Sequence, residues 1–263
     1  MHPRTHREYL SRKTLQVCEV LVVLVVSSIP ILAANDHIIV RENVSKSNRE
    51  ELEQRLQTIT GWNDLGFDAA GVLRIGNSAP RTGSKSAREL LNRSVSANRV
   101  ILFEDASSRK DVVFCSVVET TVNATSYGAL PVYVVLIDFA DFRQVTGDKQ
   151  ARAAFDVGWA VLHEIDHVTE DSQDPQQDVA GDCEGRINRM RRELGLPVRN
   201  SYFFSILPVK SDGNLISRFV RLGFDQDNAT LSKRRRYWLI WDAAIVGGLP
   251  PETESARASL DIF

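Results

Sequence analysis

Apolar residues recur at helical spacing in some stretches of the chain and in unbroken β-branched runs in others. Residues 45–62, SKSNREELEQRLQTITGW, carry Leu52, Leu56 and Ile59 at helical intervals behind Ser47 and Glu50 at the spacing of a capping box, which predicts a first amphipathic helix. GVLRIG (71–76) is a short strand candidate. A Ser-, Gly- and Pro-rich loop (77–86) then hands over to a helix through ARELLNRS. RVILFED (99–105), DVVFCSVVETT (111–121) and PVYVVLIDF (131–139) predict at least three strands of one sheet. From Asp148 to Val168 the pattern turns helical, with Ala151, Ala154, Phe155, Gly158, Leu162 and Ile165 along one face. A polar loop (170–178) with Asp174-Pro175 breaks that helix. A second helix starts near Gly181 and stops at the Gly-Leu-Pro of 195–197. Strand-like segments at 201–209, 215–224 and 236–248 follow as a C-terminal β-ribbon or small sheet. Together these elements predict an α+β fold.

Composition narrows the picture. At 263 residues and 43% hydrophobic content the chain can bury a sizeable core, and a net charge of −2 gives no reason to expect nucleic acid as a partner. The first 34 residues stand apart. Arg4, Arg7, Arg12 and Lys13 precede the apolar run VLVVLVVSSIPILAA (20–34), short for a membrane span and ending in small residues. A cleaved signal peptide is expected over 1–34, with an uncleaved N-terminal anchor as the alternative, and a single domain over 35–263. The location is then secreted or periplasmic, with membrane contact only if 20–34 is retained. Cys115 and Cys183 remain beyond that segment, either bridged or as buried thiols. The cluster SKRRRYWLIWD (232–242) is read as a solvated charge group, diluted by Asp225, Asp227 and Asp242.

The chemistry concentrates in AVLHEIDHVTEDSQD (160–174). Residues four apart on a helix lie about 40° apart around its axis, so His163 and His167 can offer two imidazoles to one ion. A catalytic zinc keeps three protein ligands and an open water position, and Glu164 stands where a base could take that water's proton. Asp166 is expected at a solvent-facing position of the same helix.

His163, Glu164 and His167, as HEIDH, resemble the signature of the zincin metallopeptidases. The resemblance implies a sheet packed on the motif helix, Zn2+ on His163 and His167, and Glu164 as general base. The third ligand of the metzincin branch is missing, because Gln173 stands ten residues beyond His163. In the glutamate-zincin branch a glutamate on the following helix supplies it. Glu184 fits that position, with Asn188 four residues on where an aspartate is usual, and Asp182 and Asp178 are rivals. The run NRMRRELGLPVRNSYF (188–203) is weakly similar to a segment of bacterial effector- or toxin-type zincins. Tyr202 is a candidate for stabilising the oxyanion, or else a strand core residue. The expected activity is that of a zinc metallopeptidase, a hydrolase acting on a peptide or protein substrate. The alternatives are an exported, non-catalytic zincin-fold binding protein and an effector or toxin protease delivered to another cell.

Overall fold

The computed structural model describes residues 37–78, 80–120, 130–175, 179–199, 201–207, 218–228 and 233–248. All of these belong to one compact unit, Leu32–Phe263. The leader expected over 1–34 and the rival ligand Asp178 lie outside the described residues. Among the described residues no helix is long and apolar enough to cross a membrane.

The chain begins with β1 (Ile38–Val40), α1 (Lys46–Thr60), the short strands β2 (Gly66–Phe67) and β3 (Leu73–Arg74), and α2 (Lys85–Val95). It continues through β4 (Val100–Asp105), β5 (Cys115–Thr120), β6 (Val132–Ile137), α3 (Phe139–Gln144), β7 (Thr146–Gly147) and α4 (Lys149–Ala153). Then come α5 (Val157–Glu170), α6 (Gly181–Glu193), β8 (Val198–Arg199), β9 (Ser205–Ile206), β10 (Phe219–Asn228) and β11 (Lys233–Asp242). The fold is α+β.

One sheet runs β1-β4-β6-β5, with β1, β4 and β6 parallel and β5 antiparallel on the edge beside β6. Its two central strands are apolar on both faces, as a doubly covered parallel strand must be. Ile101, Phe103, Val135 and Ile137 face the main core with the helices, while Val100, Leu102, Val132, Val134 and Leu136 form a separate cluster on the other face. The second sheet, β7-β11-β10-β8 with β9 also on β10, is antiparallel. Its backbone is the expected C-terminal ribbon, β10 and β11 pairing without a break from Phe219↔Asp242 to Asn228↔Lys233. Val220, Leu222, Phe224, Leu239 and Trp241 face Phe114, Ala151 and Ala154 in its core.

Helix α5 runs through the main core. Ten of its fourteen residues are buried, including every position from Val157 to Leu162. Its approach to α1 requires a glycine, because a Cβ on Gly158 would lie 2.7 Å from Cβ of Arg55.

Several boundaries differ from the sequence expectation: the C-terminal strands span 205–206, 219–228 and 233–242 where the sequence predicts 201–209, 215–224 and 236–248, and two helix starts move. The first helix is capped by Ser45, whose side chain accepts from N–H of Asn48, and not through Ser47. The helix expected over 148–168 is two helices. Asp156 leaves helical conformation, and its carboxylate accepts from N–H of Gly158 (2.9 Å) and Trp159 (3.2 Å), starting α5 afresh. A short acidic side chain bonds the backbone more favourably as a cap than inside a helix, and apolar periodicity does not register that competition.

Candidate metal centre

His163 and His167 stand one turn apart near the end of α5, their Nε2 atoms 3.0 Å from each other and their rings at 79°. Oδ1 of Asp174 lies 3.0 Å from Nε2 of His167 and 3.4 Å from Nε2 of His163. Donor atoms held about 2.0–2.2 Å from a tetrahedral zinc stand about 3.3–3.5 Å from one another. The three atoms therefore converge at close to the spacing such an ion needs.

The turn after the helix makes this convergence. Asp171 caps α5 in the left-handed region at φ 51°, which turns the chain across the helix end. Nδ1 of His167 contacts the carbonyl oxygen of Ser172 at 2.8 Å. A carbonyl only accepts, so the neutral ring carries its proton on Nδ1 and keeps Nε2 as its lone-pair side. The hydroxyl of Ser172 donates to Oδ2 of Asp166 at 3.1 Å.

Asp166 is not solvated, as the sequence suggested, but fully buried. Arg186 on α6 grips it through Nε (2.7 Å to Oδ1) and Nη2 (2.6 Å to Oδ2). Helix α5 is surrounded on more sides than a surface helix, and the charge is tolerated inside because it is paired.

Glu184, the expected third ligand, is 1% exposed and sits behind His163, with Oε2 3.5 Å from Nδ1. Its carboxylate is clamped by Arg191 and by Nη1 of Arg199 at 3.4 Å. A carboxylate on the outer nitrogen of an imidazole orients the ring and raises its basicity. Asn188 does not reach the histidines. Its Oδ1 accepts from Arg191 Nη1 and from the backbone N–H of Arg199, both at 2.9 Å, and its amide donates to the Arg199 carbonyl, fastening β8 to α6. Asp182 is exposed on the first turn of α6. Cys115 and Cys183 are free thiols. Cys183 Sγ lies 3.4 Å from Nδ1 of His163, and it groups with both histidines within 4.8 Å. Cys183 also interacts with the His167 side chain, so its thiol stands as a second candidate donor beside Asp174.

The electrostatics suit a cation. Burial opposes the imidazolium of His163, yet contacts with Asp174, Cys183 and Glu184 outweigh it and hold the pKa well above the ordinary value. His167 is likewise raised to about 10 against burial, through Asp174 and Cys183. Burial would lift Glu184, but the charges of Arg191 and Arg199 hold it far below the usual carboxylate range. Burial dominates at Glu164 and raises it, only partly offset by the two histidines. Glu164 also accepts at Oε2 from N–H of Val117 on the edge strand β5, 3.0 Å away.

A cavity of about 240 Å³ opens beside this group, lined among others by His163, Glu164, Glu184, Arg191, Arg199 and Tyr202. Tyr202 hydrogen-bonds Asp174 through its hydroxyl and lies with its ring under the guanidinium of Arg199, 4.8 Å away. Asp174 and the arginine pair were not singled out by the sequence. The aspartate stands eleven residues beyond His163 in an aperiodic loop, and only the fold of that loop brings it back. Three of the basic residues in the 232–242 cluster are described with partners or stacking contacts. Arg236 binds Asp225 at 2.6 and 2.7 Å, Arg234 binds Asp227 at 3.3 Å, and Arg235 lies over Tyr237. Compared with protein-family models, curated proteins and solved structures, the chain matches none of them.

Proposed function

We propose that this protein is a secreted zinc-dependent metallopeptidase with a zincin-like arrangement of sheet and motif helix, holding Zn2+ on His163, His167 and Asp174. The observation that carries this reading is the convergence of two Nε2 atoms and one carboxylate oxygen within 3.0–3.4 Å. Two imidazoles and a carboxylate form a donor set suited to a catalytic zinc, and the two outer nitrogens are already met by Ser172 and Glu184. Export rests on the basic and then apolar character of residues 1–34.

When bound, the ion supplies Lewis acidity to polarise a peptide carbonyl and acidify a water. The chain supplies the rest. The N–H of Val117 occupies Oε2 of Glu164, and Oε1, without a hydrogen-bond partner among the described residues, can receive a proton. Burial raises the Glu164 pKa, so the proton taken up can be kept and passed to the leaving amine. Strand β5 pairs only with β6 among the described residues. Its other edge, where Val117 already turns toward the site, can hold an extended peptide by strand addition. Tyr202, bonded to Asp174, positions that carboxylate and closes the cavity wall.

Metal analysis and peptide-library turnover, measured on the full chain and on Glu164→Gln, test this reading. Stoichiometric zinc is expected in both proteins, with turnover lost by about 10²–10⁴ in the variant. Absence of zinc, or unchanged turnover in the variant, would remove the proposal.

A further inference from the structure

The cavity beside the motif helix is lined by aromatic and by charged side chains. Phe155, Trp159 and Phe204 contribute to its sides. Arg191 and Arg199, 2% and 7% exposed, line it together with Glu184, 1% exposed. Two guanidinium groups thus share one buried carboxylate. The other acid whose charge reaches Arg191 is Asp156, and Arg55 answers it at 3.6 Å. Asp225, beside the residue paired with Arg199 in the sheet, is held by Arg236. Around Glu184 the two guanidinium groups therefore exceed the carboxylates by one charge, while Glu164, the other acid lining the cavity, stands on the motif helix beside the histidines.

The donors divide unequally. Arg199 is used throughout: Nε donates to the Ser201 carbonyl at 3.1 Å, Nη1 to Glu184 at 3.4 Å, and Nη2 to the Tyr202 carbonyl. Arg191 gives Nε to the Ala154 carbonyl at 2.8 Å and Nη1 to Glu184 and to Asn188. Its Nη2 has no hydrogen-bond partner among the described residues. A largely buried guanidinium with a spare donor can be completed by an anionic ligand, which gains what a neutral ligand cannot.

We propose that this cavity selects a carboxylate of the bound peptide, with Arg191 as its specificity-determining partner. The proposal rests on the peptidase reading above and names the substrate class of that site. At about 240 Å³ the cavity is smaller than the space a drug-sized ligand fills, which suits one amino-acid side chain or chain end. An acidic side chain and a terminal carboxylate share the same chemistry. The aromatic walls cover the aliphatic part of either, and Arg191 meets the oxygens.

The test is a binding measurement on the full chain, with and without zinc, so that it depends on neither turnover nor direct coordination of the ligand to the ion. Four probes are compared by titration calorimetry: N-acetylglutamate α-amide, its glutamine counterpart, N-acetylalanine with a free carboxylate, and N-acetylalanine amide. N-acetylphenylalanine amide serves as the apolar rival. At least one acid is expected to bind about tenfold or more tighter than its amide, in zinc-free protein as well. Preference in the first pair assigns an acidic side chain, and preference in the second assigns the chain terminus. Arg191→Met, checked for folding by near-UV circular dichroism, is expected to erase the preference. The comparison in the unaltered protein stands even if that variant fails to fold. Equal binding of both acids and their amides, or tightest binding of the phenylalanine probe, would overturn the proposal. Hydrolysis lost in Glu164→Gln reports separately on the peptidase reading.

Discussion

Oδ1 of Asp174 lies 3.0 Å from Nε2 of His167, although six residues and the end of a helix separate them in the chain. That contact sets Asp174 apart from the other acidic candidates. Asp174→Asn is expected to weaken zinc binding by about 100-fold or more, because it removes a charged donor from the ion itself. Glu184→Gln should cost zinc affinity within the roughly 10–100-fold range of a residue that orients a ligand, and should also destabilise the fold by leaving two buried arginines unpaired. Asp182→Asn, at an exposed position, should change neither. Competition with a metal indicator gives the order, and a Glu184 variant binding zinc more weakly than the Asp174 variant would reverse the assignment.

Asp166 positions the second histidine through Ser172. Its carboxylate holds the Ser172 hydroxyl at 3.1 Å, and the carbonyl of the same serine fixes Nδ1 of His167. Ser172→Ala should lower zinc affinity by about tenfold while costing under about 1.5 kcal/mol of stability. Asp166→Asn, which also breaks the two-point contact with Arg186, should cost about 2–4 kcal/mol in denaturant unfolding. If Asp166→Asn unfolds at the same denaturant concentration as the parent, the buried pair contributes nothing.

Asn188 should matter for stability and not directly for the metal. Truncation by Asn188→Ala leaves the backbone N–H and carbonyl of Arg199 without their side-chain partner in a buried setting. A loss of about 1–3 kcal/mol is expected per group left unsatisfied, measured by thermal or urea unfolding. A zinc affinity lowered more than that of Glu184→Gln would instead place Asn188 in the support of the histidines.

Asp156 predicts a pH dependence of folding. Burial pushes its pKa up to about 6 from an ordinary 3.8, against the opposing charge of Arg55 and the N–H groups it caps. Between those values the folded chain holds a proton that the unfolded chain has released. The group's stabilising contribution is therefore full below pH 3.8 and lost as pH rises through about 6, by roughly 3 kcal/mol at most. Asp156→Asn keeps a good cap and removes the titration, so its stability relative to the parent should rise from pH 4 to pH 7. Asp141, also raised to about 6 by burial, leaves a residual slope in both proteins. Parallel stability curves for parent and variant would rule out Asp156 as the titrating group.

The local pattern of the chain was enough for the α+β content, for the strands at 99–105 and 131–139, and for the helix that carries His163, Glu164 and His167. Periodicity records which side of an element is apolar, and a four-residue spacing on a helix determines that two imidazoles share a face whatever surrounds them. The C-terminal ribbon was legible for the same reason, since alternation along a strand is a local property. Other features depend on contacts between segments remote in sequence, and tertiary structure decided those. Asp166 looks solvent-facing until α6 brings Arg186 against it, and Asp156 reads as one residue of a long helix until its carboxylate caps a new one. Glu184 has a ligand's chemistry and spacing, yet two arginines from α6 and β8 hold it behind His163. Asp174 carries no sequence signal at all, because the path of an aperiodic loop is set by a left-handed cap at Asp171 and by the hydrogen bonds of Ser172, and neither leaves a repeat in the pattern of apolar residues.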